Sequence, residues 1–323
     1  MVKAKLNINP LISLIIPVRN GEKFLERCFS TIENQTYSNL EIIFIDNNSN
    51  DSSTEKINQY LKKNSSAMLL SCKDQGPSHA RNLGINRSNG DFISFLDVDD
   101  ELHPQKHEIL LAKFMKSPLV GMAVGNYKKQ FSKTSFQIIN HKVGDKDLNN
   151  PPAYAIQWLN AFNLCPSTNS VLISRKVFND VGNFPVSLRF GEDLALFIKI
   201  ALKYEIAFVD DIISVYHRHK NSSTSKSNAI RTPAERYKLF YEKFALEYFY
   251  KNNQEEHNSL AYKVVQENAF KLYMSMIFDK NIITLEQIDL PDKYFSKLKR
   301  FLILYKTLPF RLASKIFHVI YKK

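Results

Sequence analysis

The stretch from Asp91 to Asp100, DFISFLDVDD, constrains the fold more than any other. Its first half, Phe92 to Leu96, is a short apolar, β-prone run. Its second half sets three carboxylates, Asp97, Asp99 and Asp100, within four residues. Like charges side by side repel and raise one another's pKa unless a cation neutralises them. A strand that runs into clustered acids is therefore a poor choice for stability alone. In open parallel α/β sheets the carboxyl ends of the strands are where ligands bind. Asp97 and Asp99 are two apart and point to one side of an extended chain. Two hard oxygen donors there suit Mg²⁺ or Mn²⁺ carrying a substrate phosphate. The plainer alternative is a strand ending in a solvated acidic cap, and D-x-D alone is a weak motif.

The surrounding chain supplies a frame for that strand. Leu11 to Pro17, LISLIIP, and Glu41 to Asp46, EIIFID, are continuous apolar runs, the pattern of strands buried on both faces. Ala67 to Ser71 reads as a weaker strand. Helical spacing covers Glu22 to Asn34, Ser52 to Lys62, Gly76 to Ser88 and Pro104 to Lys116. Strand and helix thus alternate from residue 11 to 116, which predicts a mostly parallel sheet with right-handed crossovers. Polar candidates gather after the strands: Arg19 and Asn20, Asp46 to Asn48, then Asp97 and Asp99. The first strand is followed by PVRNGEKF, without the glycine fingerprint of a dinucleotide site, and no P-loop is present.

Further on, Val120 to Lys128, Ser170 to Ser174 and Ile206 to Tyr216 read as strands. Tyr154 to Phe162 reads as a helix carrying the only tryptophan, Trp158; a short helix follows at Arg175 to Asp180. Lys129 to Asn150 reads as a polar, irregular flap. Gly191 opens an amphipathic helix led by Glu192 and Asp193. From about Thr232 the pattern becomes helical and rich in aromatics and lysine, with a boundary near residue 225 in SSTSKSN. The expected division is therefore 1–225 and 226–323.

Charge and cysteine usage narrow the class. The 323 residues carry 44 Lys+Arg against 32 Asp+Glu, a net +12, so an acidic partner is expected: nucleic acid, anionic lipid or a phosphorylated substrate. Cys28, Cys72 and Cys165 are scattered and odd in number, which argues against a disulfide framework or a zinc site and for a reducing cytosol. No secretory h-region opens the chain and no apolar run reaches membrane-spanning length. A cytoplasmic protein is expected, with a peripheral place at the inner face of the membrane if its tail binds lipid.

Four segments, LIIPVRN with IFIDNNSND, SHARNLGI, FLDVDD and FGEDLAL, occur in order over roughly residues 11 to 220. Together they resemble the family 2 nucleotide-sugar glycosyltransferases. That resemblance implies a GT-A fold: a Rossmann-type, mostly parallel sheet flanked by helices, here followed by a helical C-terminal region. It implies that Pro17 and Asn20 line the nucleotide base and that Asp46 or Asn47 faces a uracil edge. Arg19 stands where an aromatic often stacks, and its guanidinium plane can stack instead. Asn47 stands where many members have a second Asp, and an amide still offers a donor and an acceptor. Arg81 is expected near the nucleotide and its phosphates. Asp97 would hold the ribose and the metal shell, Asp99 the divalent ion. His219 or His217 would complete that shell or touch the diphosphate. Asp193, with Glu192 beside it, matches the family's acidic pair and would be the general base.

The expected function is an inverting, Mn²⁺- or Mg²⁺-dependent transfer of a sugar from a nucleotide donor, UDP-linked, to a glycan or lipid-linked acceptor in surface polysaccharide assembly. A non-catalytic nucleotide-sugar or lipid-binding protein on the same fold is the alternative. Nucleic-acid binding is disfavoured, because the acidic cluster repels phosphates unless a metal intervenes. Residues 291–323 carry nine Lys and Arg against Asp292 alone. From Pro309, Leu312, Ala313, Ile316, Phe317 and Ile320 fall on one helical face and Arg311, Lys315 and Lys322 on the other, the pattern of a helix lying on an anionic membrane. A helix packing its apolar stripe on the protein fits that pattern equally.

Overall fold

The computed structural model describes residues 9–132, 134–140, 150–219 and 233–278. The chain divides into two compact units, Met1–Lys226 and Ser227–Lys323.

The first unit is built on one sheet. Its first three strands are β1 (Ile12–Val18), β2 (Leu40–Asp46) and β3 (Ala67–Ser71). Next come β4 (Phe92–Phe95), β5 (Glu101–Leu102) and β6 (Val120–Gln130). The last three are β7 (Phe136–Ile139), β8 (Val171–Ser174) and β9 (Glu205–His217). The order is β3-β2-β1-β4-β8-β6-β9-β5, with β7 added to β6. β3, β2, β1 and β4 are mutually parallel, joined by α1 (Leu25–Glu33), α2 (Ser53–Leu61) and α3 (Pro77–Arg87). β8 then runs antiparallel to both β4 and β6, while β6 and β9 share a long parallel ladder. α4 (Lys106–Phe114), α5 (Ala153–Asn160), α6 (Lys176–Val181) and α7 (Glu192–Lys203) complete the unit.

The apolar runs bury as their pattern requires. Ile12, Leu14, Ile15, Ile16 and Val18 of β1 are fully enclosed. On one side Leu25, Cys28, Phe29 and Ile32 of α1 pack with Phe44, Ile57 and Tyr60. On another, Leu110, Leu111 and Phe114 of α4 pack with Phe92, Val209 and Ile213. Each fully buried side chain of this size contributes about 1.5–3 kcal/mol. α3 lies so close to β1 that a Cβ on Gly84 would stand 2.4 Å from Ile15 Cγ2. Pro17 is tolerated in this central strand because β4 ends at Phe95, opposite Ile15, so no ladder partner waits for the missing N–H.

Three local readings change. Helix α1 begins at Leu25, not Glu22, because Gly21 to Phe24 close a turn through the Phe24 N–H and Gly21 carbonyl. The stretch read as an irregular flap from Lys129 starts as a hairpin: β6 runs on to Gln130 beside β9 and returns as β7. Residues 141–149 lie outside the described residues. The two-residue strand β5 is too short to show a period and exists only by pairing with β9.

The second unit contains α8 (Pro233–Phe240), a π-helical stretch at Tyr241–Ala245, α9 (Leu246–Lys251) and α10 (Glu256–Phe278). Phe240, Tyr241, Phe244, Leu246 and Phe249 bury with Ala261 and Val265. The basic tail, including Arg311, Lys315, Lys322 and the Leu312 stripe, lies outside the described residues. Among the described residues no helix is long and apolar enough to cross a membrane.

Candidate active site

The exits of β1 and β2 are laced together. Asn20 and Asn48 adopt positive φ, 52° and 59°, a conformation asparagine tolerates better than most residues. The Asn20 N–H donates to Ser49 Oγ at 3.0 Å, and its Oδ1 accepts the Asn50 N–H at 2.9 Å. Asn47 is buried and its amide is fully engaged. Nδ2 donates to the Cys72 and Asp74 carbonyls at 3.2 and 2.6 Å, and Oδ1 accepts the Gly76 N–H at 2.9 Å. Asn47 therefore fastens the β2 exit to the loop that opens α3. Asp46 is half-buried; its carbonyl accepts the Cys72 N–H at 2.8 Å, and its carboxylate accepts the Ser49 N–H at 3.2 Å. Arg19 is exposed, and Pro17 is half-buried one turn of the strand before it.

At the exit of β4 three of the four sequence segments, SHARNLGI, FLDVDD and FGEDLAL, meet. Arg81, reaching from α3, is buried. One guanidinium nitrogen bonds Asp97 Oδ1 at 2.9 Å and another bonds Glu192 Oε1 at 3.1 Å. Its plane also lies 5.5 Å from the centroid of Phe184. The planar fork of arginine suits this double task, which a lysine point charge would not perform. Burial opposes the charge on Arg81, but Asp97 and Glu192 outweigh it and raise its pKa. Arg81 thus ties the D-x-D stretch to the start of α7.

Three acids follow different fates. Asp100 is fully buried and its carboxylate accepts from Asn169 Nδ2 and from the His217 N–H, the latter at 2.8 Å. Burial, with Asp99 and Asp97 adding repulsion, pushes its pKa well up. Asp99 meets His219 Nε2 at 2.6 Å, and its backbone carbonyl accepts from Arg27. Burial and then Asp97 raise its pKa, against the lowering effect of His219. Asp97 keeps a partly exposed carboxylate, with its own N–H fixed to Asn169 Oδ1 at 2.8 Å. His217 turns instead to Glu101, at 2.5 Å.

Asp193 sits in the first turn of α7 behind Gly191, whose φ of 77° is left-handed and suits glycine. Its Oδ1 accepts the Leu194 N–H at 2.8 Å. Burial, then repulsion from Glu192, pushes its pKa up to about 7. A carboxylate poised there exchanges a proton readily near neutrality, which is what a general base needs.

The donor chemistry of Asp97, Asp99 and His219, two carboxylates and an imidazole, fits Mn²⁺ or Mg²⁺. A cation there would offset the Asp97 repulsion that, after burial, raises the Asp99 carboxyl. Among the described residues no group of three or more His, Cys, Asp and Glu side chains already stands arranged around a metal position.

Several residues here escape a sequence reading. Asn169 holds both Asp97 and Asp100, yet belongs to a Ser/Thr/Asn run, PSTNS, with no motif to flag it. Arg27, Glu101 and Phe184 buttress the acids and Arg81 from three separate segments. Trp158 and Tyr154 are enclosed in the core at 0% and 2% exposure.

Comparisons with known proteins identify the family. The sequence profile described as Glycosyl transferase family 2 matches residues 13–182. An uncharacterised glycosyltransferase of Haemophilus influenzae is 42% identical over 119 residues, 36% of this chain and 47% of that protein. Glycosyltransferase GlyG of Streptococcus pneumoniae is 25% identical over 224 residues, 67% of this chain and 73% of GlyG. Three Rickettsia relatives are longer still, and the chain spans 26–34% of their length. Among solved structures, S. aureus TarS 1-349 in complex with UDP superposes with a TM-score of 0.60 at 16% identity, over 86% of this chain and 76% of that one. The mannosyltransferase PcManGT of Pyrobaculum calidifontis, in complex with GDP-Man and Mn²⁺, gives 0.54 at 15% identity, over 98% and 88%. Sequence profile, relatives and the GT-A sheet converge: the chain belongs to glycosyl transferase family 2.

Proposed function

We propose that the protein transfers a sugar from a nucleotide donor, UDP-linked, to a hydroxyl of a glycan or lipid-linked acceptor, with inversion at the anomeric carbon and with a divalent ion. The observation that carries this reading is the Arg81 bridge from Asp97 to Glu192, which holds the acidic cluster at β4 beside the poised Asp193.

In this reading the base lies against the exits of β1 and β2, with Arg19 stacking on it. Asp46 offers the free carboxylate oxygen for its edge, because the Asn47 amide is spent on the loop before α3. Pro17 and Asn20 bound the same recess. Asp97, Asp99 and His219 would hold the ion, while Asp100 is committed to Asn169 and the His217 N–H. A bound divalent ion supplies neutralisation of the charge that builds on the departing diphosphate. Arg81 adds fixed positive charge on the same side. Asp193 takes the proton of the acceptor hydroxyl. The acceptor oxygen bonds the anomeric carbon as its bond to the diphosphate oxygen breaks, and UDP leaves with that electron pair.

TarS bound to UDP and to UDP-GlcNAc, and PcManGT bound to GDP-Man and Mn²⁺, support a nucleotide-sugar donor and a metal-using site. Assembly of a surface polysaccharide, at the membrane face, is the setting this chemistry suits. A donor-hydrolysis screen across UDP- and GDP-sugars with Mn²⁺ tests the reading. Release of UDP from one UDP-sugar, abolished by chelation, is expected; preference for GDP-sugars would overturn the base assignment, and metal-independent release the ion.

A further inference from the structure

The β6–β7 hairpin forms a path outward from Tyr127, beside the end of β9 where Arg218 directly precedes His219. The recess lies at the exits of β1, β2 and β4. β6 and β9 stand beyond β8, on the other side of β4 in the sheet. Tyr127 of β6 is at the inner end of this path: burial pushes its phenol up to about 12, with Tyr216, Asp193 and Asp100 as the charges that add to it. Lys129 pairs with Tyr216 across the ladder. Alternate residues of a strand share a face, so Tyr127 and Lys129 line one side of β6, and Tyr216 and Arg218 extend it along β9.

The contacts agree with that placement. Lys129 Nζ lies 5.8 Å from the centroid of Tyr216 and 5.8 Å from that of Phe131. The Arg218 guanidinium lies 5.9 Å from the same Phe131 ring, which is 40% exposed. Two cations therefore crowd one exposed ring. Among the described residues neither side chain has an acidic partner, unlike Arg27, Arg81 or Lys56. Burial, and then the Arg218 charge, push the Lys129 pKa down. Paired cations of this kind are stabilised by an anion between them, and the arginine fork suits phosphate or carboxylate oxygens.

We propose that Tyr127, Tyr216, Lys129 and Arg218 form an acceptor track, and that the acceptor carries an anionic group, phosphate or carboxylate, seated between Lys129 and Arg218. Tyr127 and Tyr216, half-buried on one face of the β6–β9 ladder, are the side chains that a sugar or polyol joining that anion to the hydroxyl at Asp193 would pass. This rests on Asp193 being the base and on the donor filling the β1, β2 and β4 exits. The other source of an anion here is the donor's own diphosphate, and the test separates the two.

Wild type and the Lys129→Gln/Arg218→Gln double variant of the full chain are first titrated with UDP and Mn²⁺. Absence of UDP binding to wild type would count against the donor reading alone, and the anion titrations would then use nucleotide-free protein. With UDP saturating, glycerol phosphate and glucuronate are titrated separately by calorimetry, with glycerol as the neutral control. Expected is saturable binding of at least one anion by wild type, weakened tenfold or more in the double variant, with UDP affinity unchanged. The preferred anion identifies phosphate or carboxylate as the acceptor group. Lys129→Arg/Arg218→Lys should restore binding, which removes misfolding as an explanation. The proposal is overturned if wild type binds neither anion, if the double variant binds them as well as wild type, or if the double variant loses UDP affinity instead, which would assign the cations to the diphosphate.

Discussion

Arg81→Met removes one buried charge and leaves two carboxylates behind. The methionine keeps much of the aliphatic stem, so packing against Phe184 changes little. What is lost is the bridge to Asp97 at 2.9 Å and to Glu192 at 3.1 Å. Removing one partner of a buried pair costs about 3–5 kcal/mol, because the other charge stays desolvated. Here Asp97 is 31% and Glu192 13% exposed, so water screens part of the loss. A cost of roughly 2–4 kcal/mol is expected after that discount. For a unit of this size each kcal/mol moves Tm by about 2–4 °C, so a drop of roughly 5–15 °C should appear in a melting curve. Arg81→Lys should fall between, since one ammonium cannot hold both carboxylates in a fork. Adding Glu192→Gln to Arg81→Met should recover part of the loss, because one stranded charge is then gone. A change in Tm below about 2 °C for Arg81→Met would refute the bridge as an energetic link between the D-x-D stretch and α7.

Other outcomes follow from the same geometry. Asp193→Asn should keep UDP affinity within a few-fold while turnover falls by about 10²–10⁴, and equal losses in both would make the residue a helix cap only. In metal-free protein the raised Asp193 pKa means the native state holds a proton that the unfolded chain releases near pH 4, so its contribution to stability falls as pH rises from about 4 to 7. Asp193→Asn lacks that loss; its Tm relative to wild type should rise between pH 4 and pH 8, and a flat difference would contradict the burial of the carboxyl. Gly84→Ala should destabilise by about 1–3 kcal/mol, since its Cβ would meet Ile15 Cγ2 at 2.4 Å, and a neutral result in urea denaturation would mean that α3 shifts freely on β1. Deleting residues 309–323 tests the basic tail: release from anionic liposomes with an unchanged Tm fits a membrane helix, and a lowered Tm without liposome binding fits a packing helix.

The strands of the parallel half were legible because both their faces are buried. ISLIIPV and LEIIFID are apolar apart from Ser13, Glu41 and the terminal Asp46, and a strand enclosed on both faces reads so. The antiparallel half was less so. β5 has two residues, and β7 is an exposed strand, with Phe136 53% exposed, defined by its ladder rather than its sequence. At the site, Asp97, Asp99, Arg81, Glu192 and Asp193 stood out by residue type after strand ends or at a helix start, and the structure brings them together. Asn47 also stood out, but its amide turned inward to three backbone groups, a choice set by where the loop after β3 passes. Asn169 and Arg27 act through contacts 72 residues away in the chain, and no local spacing encodes those.

The most direct test is calorimetric titration of the full chain with UDP, with and without Mn²⁺, beside Asp99→Ala. Expected is saturable binding that requires Mn²⁺ and is lost in Asp99→Ala while the variant's fold, read by circular dichroism, stays intact. UDP binding that is equally strong without the ion, or that survives Asp99→Ala unchanged, would contradict a metal-held diphosphate at the exit of β4.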